Sequence, residues 1–124
     1  MTRPEPPADQ SLASIESRMR DAGEWLQLED GVIENLIAPR RVLEVSIPVR
    51  LDDGTRVRFT GWRVLHNITR GPGKGGIRYH PSVSRDETVS LAAAMSLKTA
   101  LMNLPLGGAK GGVALDPKLL SMRE

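Results

Sequence analysis

The sequence predicts an α/β domain, an open sheet carrying an antiparallel hairpin and packed by helices. Three observations point there. Two runs of alternating apolar and polar residues flank a turn signal at Asp52-Asp53-Gly54. A stripe at helical spacing precedes them, and a long apolar helix lies between two glycine-rich segments.

The elements follow in order. Met1 to Gln10 is rich in proline and charge with no apolar stretch, and reads as a disordered tail rather than a signal peptide. Leu12, Ile15, Met19, Ala22 and Leu26 then recur at spacings of three and four, one face of an amphipathic helix, with Gly31 beyond its end. Leu43, Val45, Ile47 and Val49 alternate with polar residues and predict a half-buried strand over about 42–50. Pro48 argues for an edge or a bulge there. A second strand over about 56–67 shifts phase at Gly61, where a bulge is expected. Gly71 to Gly76 reads as a loop, and Ile77 to His80 as a short extended piece stopped by Pro81. Ser84 and Glu87 form a capping box for a helix from Arg85 to about Met102, with Asp86 in its first turn. Apolar residues surround almost all of that helix, which predicts burial on every side. A second glycine loop, Gly107 to Gly112, precedes a short strand at Val113-Ala114-Leu115, and Asp116-Pro117 starts another helix. The chain stops barely two turns into it, so a domain incomplete at the C-terminus is expected.

Composition narrows the function. With 124 residues there is room for one domain at most. Hydrophobic residues make up 40% and aromatics 3%, so the core is aliphatic. A formal net charge of +2 without a basic run is no nucleic-acid footprint. The absence of cysteine excludes a disulfide or a thiolate zinc site within these residues. No apolar run approaches the roughly 20 residues of a membrane helix. A soluble, cytoplasmic protein is expected, with no nucleic-acid or membrane partner and no metal.

Three lysines carry the chemistry. Lys98 sits inside the apolar helix, either snorkelling outward or facing an anion. Lys74 and Lys110 each lie among glycines, in Gly73-Lys74-Gly75-Gly76 and Gly108-Ala109-Lys110-Gly111-Gly112. Glycines let a backbone approach a ligand and offer N–H groups to an anion, although a flexible loop with a solvated lysine fits either segment alone. Gly71-x-Gly73-x-x-Gly76 matches the dinucleotide fingerprint formally, but an extended segment follows where a helix is required. Neither loop has the Lys-Ser/Thr ending of a P-loop. His66 and His80 show no ligand spacing, and Arg70 and Arg78 read as solvated.

In their order, FTGWRV (59–64), His66-Asn67, GPGKGGIRYHP (71–81), the Lys98 helix, NLPLGGAKGGV (103–113) and Asp116-Pro117 resemble the N-terminal, substrate-binding domain of the hexameric glutamate dehydrogenases, within the Glu/Leu/Phe/Val dehydrogenases. The resemblance covers roughly residues 40–124. It implies that Lys74 binds the side-chain carboxylate of glutamate, Lys98 the α-carboxylate, and that Lys110 is the catalytic acid/base. Met95 and Gly75 are implied as further substrate-binding positions. Relatives that act on apolar amino acids are implied to carry an apolar residue where Lys74 stands. Gly73 departs from the alanine or bulkier residue common in the family, which predicts a more mobile loop.

The activity implied is NAD- or NADP-dependent oxidative deamination of L-glutamate to 2-oxoglutarate and ammonia, in a homo-oligomer, a hexamer by resemblance. No cofactor-binding residue is expected in these 124 residues, whose partner would be a nucleotide-binding domain. Alone they are expected to be inactive. A regulatory homologue that binds an amino acid and assembles with an active subunit is the alternative.

Overall fold

The structure, a computed structural model, describes residues 11–124, so the expected tail at 1–10 lies outside the described residues. Helices α1 (Leu12–Trp25) and α2 (Asp30–Ile37) lead into strands β1 (Arg41–Arg50) and β2 (Arg56–Asn67). Short strands β3 (Gly73–Lys74) and β4 (Ile77–Tyr79) precede helix α3 (Arg85–Leu101), strand β5 (Gly107–Val113) and a 3-10 turn, Pro117–Leu119. The five strands form one sheet in the order β1-β2-β5-β3, with β4 also on β5. The β1–β2 and β2–β5 pairs are antiparallel, and β3 and β4 run parallel to β5. The open α/β sheet with its hairpin is thus observed. Pro48 sits in the edge strand, where a missing N–H is tolerated.

The second glycine segment is not a loop. It is β5, an interior strand, buried along most of its length. Glycine is there because α3 lies against the sheet at backbone distance. A Cβ at Gly108 would fall 2.2 Å from the backbone nitrogen of Ser96, and one at Gly112 would fall 2.9 Å from Thr88 Oγ1. Only glycine at these two positions admits a helix so close, and Ala92 and Ala93 keep the helix face equally low. Val64, Val89 and Ala92 form the core between sheet and α3, with Leu12 and Val42 packed against it.

Four further expectations are corrected. Helix α2 was not expected. It has eight residues, too short for a periodic signal, and Gly31 lies inside it. Gly61 causes no bulge. Its pairing with Val45 is in register, and it makes room for Ile47, whose Cδ1 would lie 3.0 Å from a Cβ there. The irregularity lies between Leu65 and Asn67, where the ladder to β5 slips. The apolar side of β1 is not the core side. Val42 packs inward, whereas Leu43 and Val45 are 52% and 39% exposed on the face away from the helices. Finally, α3 is not buried all round. Leu97, Lys98, Leu101 and Met102 are exposed, because α1 covers only part of its outer side.

Smaller details differ too. Ser84 Oγ accepts the Glu87 N–H at 3.2 Å, while the Glu87 carboxylate pairs with Arg78. Of the segment Val113-Ala114-Leu115, only Val113 is in a strand. Asp116 does cap a turn, accepting from the Lys118 N–H at 3.0 Å.

Candidate active site

Strand parity decides where the lysines point. Lys110 pairs with Val64, whose side chain is in the core beneath α3. Alternate residues of a strand share a face, so Gly108, Lys110 and Gly112 all look toward α3. Lys110 is half-buried there. Lys74 pairs in parallel with Gly108, which puts it on the same face, where it is exposed. One strand over and two residues along, the two Cα atoms are about 8 Å apart by standard sheet spacings.

Lys98 is placed differently. It follows Ser96, which faces the sheet, by two residues, about 200° around the helix. It is exposed on the outer side of α3 and lines a crevice of about 190 Å³ with Ile15, Arg18, Ala94 and Leu97. Met95, half-buried, is one turn before it. The geometry therefore brings Lys74 and Lys110 to one face and sets Lys98 on the helix above it. Among the described residues, none of the three lysines pairs with a carboxylate; the ion pairs join Arg20 to Glu34, Arg78 to Glu87 and Arg85 to Asp86. Cations without protein counter-charges are a ready receptor for an anionic ligand.

The glycines beside Lys74 are demanded by the backbone. A Cβ on Gly75 would fall 1.5 Å from the carbonyl oxygen of Ala109, so the loop lies directly on β5. Gly71, at φ +143, meets Pro105 in the same way, 2.0 Å from its carbonyl oxygen. Gly73 is part of β3, paired with Gly107. Gly76 is followed by β4, a strand, so no helix N-terminus is available for a pyrophosphate. Among the described residues there is also no cluster of acidic, histidine and cysteine side chains able to hold a metal ion.

Arg70 and Arg78 are engaged rather than merely solvated. Arg70 donates to Asn103 Oδ1 at 2.9 Å, and Arg78 lies 3.3 Å from Glu87. Sequence reasoning missed the contact of Arg63, whose Nη1 lies 3.4 Å from the carbonyl oxygens of both Gly75 and Gly76. A lone arginine in a strand carries no signal of so distant a contact.

His66, 2% exposed, ties three elements together. Its Nε2 donates to the Ile37 carbonyl at 3.1 Å, ending α2. Its Nδ1 is 2.8 Å from Ser96 Oγ on α3 and, in that tautomer, accepts the hydroxyl proton. Burial pushes its pKa down, partly offset by the bond to Ile37. The unfolded chain then binds a proton more readily than the folded one, so stability is lost as pH falls below the ordinary histidine value of about 6.5. The melting temperature is expected to drop between about pH 7 and 5, and His66→Gln is expected to flatten that slope. An equal slope in the variant would assign the acid sensitivity to other groups.

A family model described as "Glu/Leu/Phe/Val dehydrogenase, dimerisation domain" matches residues 39–124. The chain belongs to this family of amino-acid dehydrogenases. Its relatives are glutamate dehydrogenases. The one from Thermotoga maritima is 57% identical over 103 residues, covering 83% of this chain and 25% of that protein. The NADP-specific enzyme of Synechocystis is 51% identical over 113 residues, 91% and 26% of the two chains. The NAD-specific enzyme A of Halobacterium salinarum is 47% identical over 116 residues, 94% and 27%. Among solved structures, glutamate dehydrogenase from Peptoniphilus asaccharolyticus superposes with a TM-score of 0.89 at 46% identity, over 91% of this chain and 28% of that one. The hetero-hexameric enzyme of Thermus thermophilus in its Leu-bound form gives 0.84 at 41%, over 99% and 30%. The chain thus spans about a quarter of the length of the curated relatives it matches. Among the described residues, no helix is long and apolar enough to cross a membrane.

Proposed function

We propose that this chain supplies the substrate-holding part of a cytoplasmic, NAD- or NADP-dependent glutamate dehydrogenase, which converts L-glutamate to 2-oxoglutarate and ammonia. The observation that carries the reading is the pair of unpartnered lysines, Lys74 and Lys110, on one face of the sheet. A dicarboxylate needs a cation at each end. Lys74 takes the distal carboxylate; the family resemblance, not the common face, assigns the α-carboxylate to Lys98, on the outer side of α3, and makes Met95 and Gly75 further substrate-binding positions. Once Cα is oxidised to the imine, water attacks that carbon. Lys110, as the neutral amine, accepts a proton from the water and, then an ammonium, returns one to the departing amine. A nicotinamide cofactor supplies the hydride acceptor in such a reaction. The described residues offer no dinucleotide cradle, so its binding falls to residues other than these. The test is kcat/KM for glutamate against norleucine in the full-length gene product. A preference for norleucine would overturn the reading.

We also propose that the domain assembles with copies of itself, in a homohexamer. Its family description as a dimerisation domain supports this, as does the free edge of β1 beside exposed Leu43 and Val45. Pro48 fits that strand only with its nitrogen turned outward, so Ser46, in phase with it, also directs its N–H to the free edge. Antiparallel self-pairing about Val45 sets Glu44 opposite Ser46 of the other copy and avoids opposing two glutamates. Ser46→Pro removes outward donors without touching the β1–β2 ladder. It is expected to weaken dimerisation roughly 10- to 100-fold in sedimentation, with the melting of the monomer unchanged. An unaltered assembly would place the interface elsewhere.

A further inference from the structure

We propose that Arg63 is a positioning residue for Lys74: its guanidinium crosses β5, grips the carbonyls of Gly75 and Gly76, and fixes the loop in which Lys74 meets the substrate. This rests on the reading of Lys74 as the ligand of the distal carboxylate.

The geometry is specific. Arg63 is on β2 and pairs with Gly111 on β5. The loop lies on the far side of β5, two strand spacings or about 10 Å away, which an extended arginine spans. Gly111 leaves that path open. A Cβ on Gly111 would lie 3.4 Å from Arg63 Nη1 and 2.8 Å from Ile77 Cγ1. At the end of this path Nη1 donates to both carbonyls, each at 3.4 Å. Among the described residues Arg63 has no carboxylate partner, so its charge is directed at these two peptide groups.

The loop has few side-chain anchors. Gly75 and Gly76 have no side chains to pack, and Gly75 cannot acquire one against Ala109. Strand β3 contributes two residues, and beyond it Gly111 N–H donates to Gly76 O at 2.8 Å. Gly75 and Gly76, the two residues between the β3 and β4 ladders on β5, are held by the Gly111–Gly76 hydrogen bond and by Arg63. Released, the loop leaves Lys74 in a wider spread of positions, which weakens its hold on a carboxylate without altering groups at the reacting carbon.

The experiment compares Arg63→Gln and Arg63→Lys in the full-length gene product with wild type and with Lys74→Leu. Lysine keeps the charge but not the planar fork that reaches two acceptors. Tryptic cleavage after Lys74 is timed against cleavage after exposed Lys118. With Arg63→Gln, cleavage after Lys74 is expected to quicken about tenfold relative to Lys118, and KM for glutamate to rise about tenfold with kcat within about twofold. Arg63→Lys is expected to fall between this variant and wild type. Equal acceleration at both sites would reveal general destabilisation and overturn the proposal. So would an unchanged KM in both variants. If Lys74→Leu keeps the preference for glutamate over norleucine, the reading of Lys74 has failed instead, and the tryptic ratio alone decides whether Arg63 holds the loop.

Discussion

Replacing Lys110 by alanine in the full-length gene product is expected to lower kcat for glutamate about 10²- to 10⁴-fold, with KM changing less than about threefold. The asymmetry follows from where the residue sits. Lys110 projects from the middle of β5, which is bonded to β2 on one side and to β3 and β4 on the other. A group on so constrained a strand is held within the tolerance that proton transfer demands. It is half-buried beside glycines, so alanine fits the strand without a clash, and the variant reports on chemistry rather than folding. The two carboxylates of the substrate are assigned to other lysines, which is why binding should survive. Initial-rate kinetics decide the matter. A large rise in KM with kcat intact would make Lys110 a binding cation and leave the reaction without its base.

The second large effect concerns specificity. Lys74→Leu is expected to reduce kcat/KM for glutamate by up to about 10⁴-fold relative to norleucine. Lysine facing a carboxylate gains a charge-assisted hydrogen bond. The same lysine facing a hydrocarbon end is a desolvated charge with nothing to pair with, which costs several kcal/mol. Leucine reverses both terms. Exposed Lys74 lies at the open end of the lysine face, so shortening and discharging it should not disturb the core. The same kinetic comparison in wild type and variant measures it, and an unchanged ratio would remove Lys74 from the pocket.

The hairpin and helices α1 and α3 were legible because they follow simple periods: alternation from Leu43 to Val49, three-and-four spacing from Leu12 to Leu26, and a capped start at Ser84. β5 was not. Glycine has no β preference, and the reason for Gly108 and Gly112 is the approach of α3, a tertiary fact. The same holds for the sidedness of β1. Alternation says that Leu43, Val45, Ile47 and Val49 share a face, but which face the helices cover is decided by the pairing of Val42 with Val64. In the site, Lys74 and Lys110 were legible as lysines among glycines. All three lysines were expected to converge on one cleft; Lys74 and Lys110 do share a face, because β3 runs parallel to β5, whereas Lys98 lies on the outer side of α3. The exposed position of Lys98 was one of the two readings its helix left open, since an apolar helix surface looks the same whether or not another element covers it.

The decisive measurement is a crystal structure of the full-length gene product with 2-oxoglutarate bound. The distal carboxylate is expected on the ammonium of Lys74, at the roughly 2.7–2.9 Å of a charge-assisted bond. The α-carboxylate is expected on Lys98, and Lys110 within hydrogen-bond reach of the keto carbon's oxygen. A ligand with its distal carboxylate held by other groups, and Lys74 turned to solvent, would contradict this assignment.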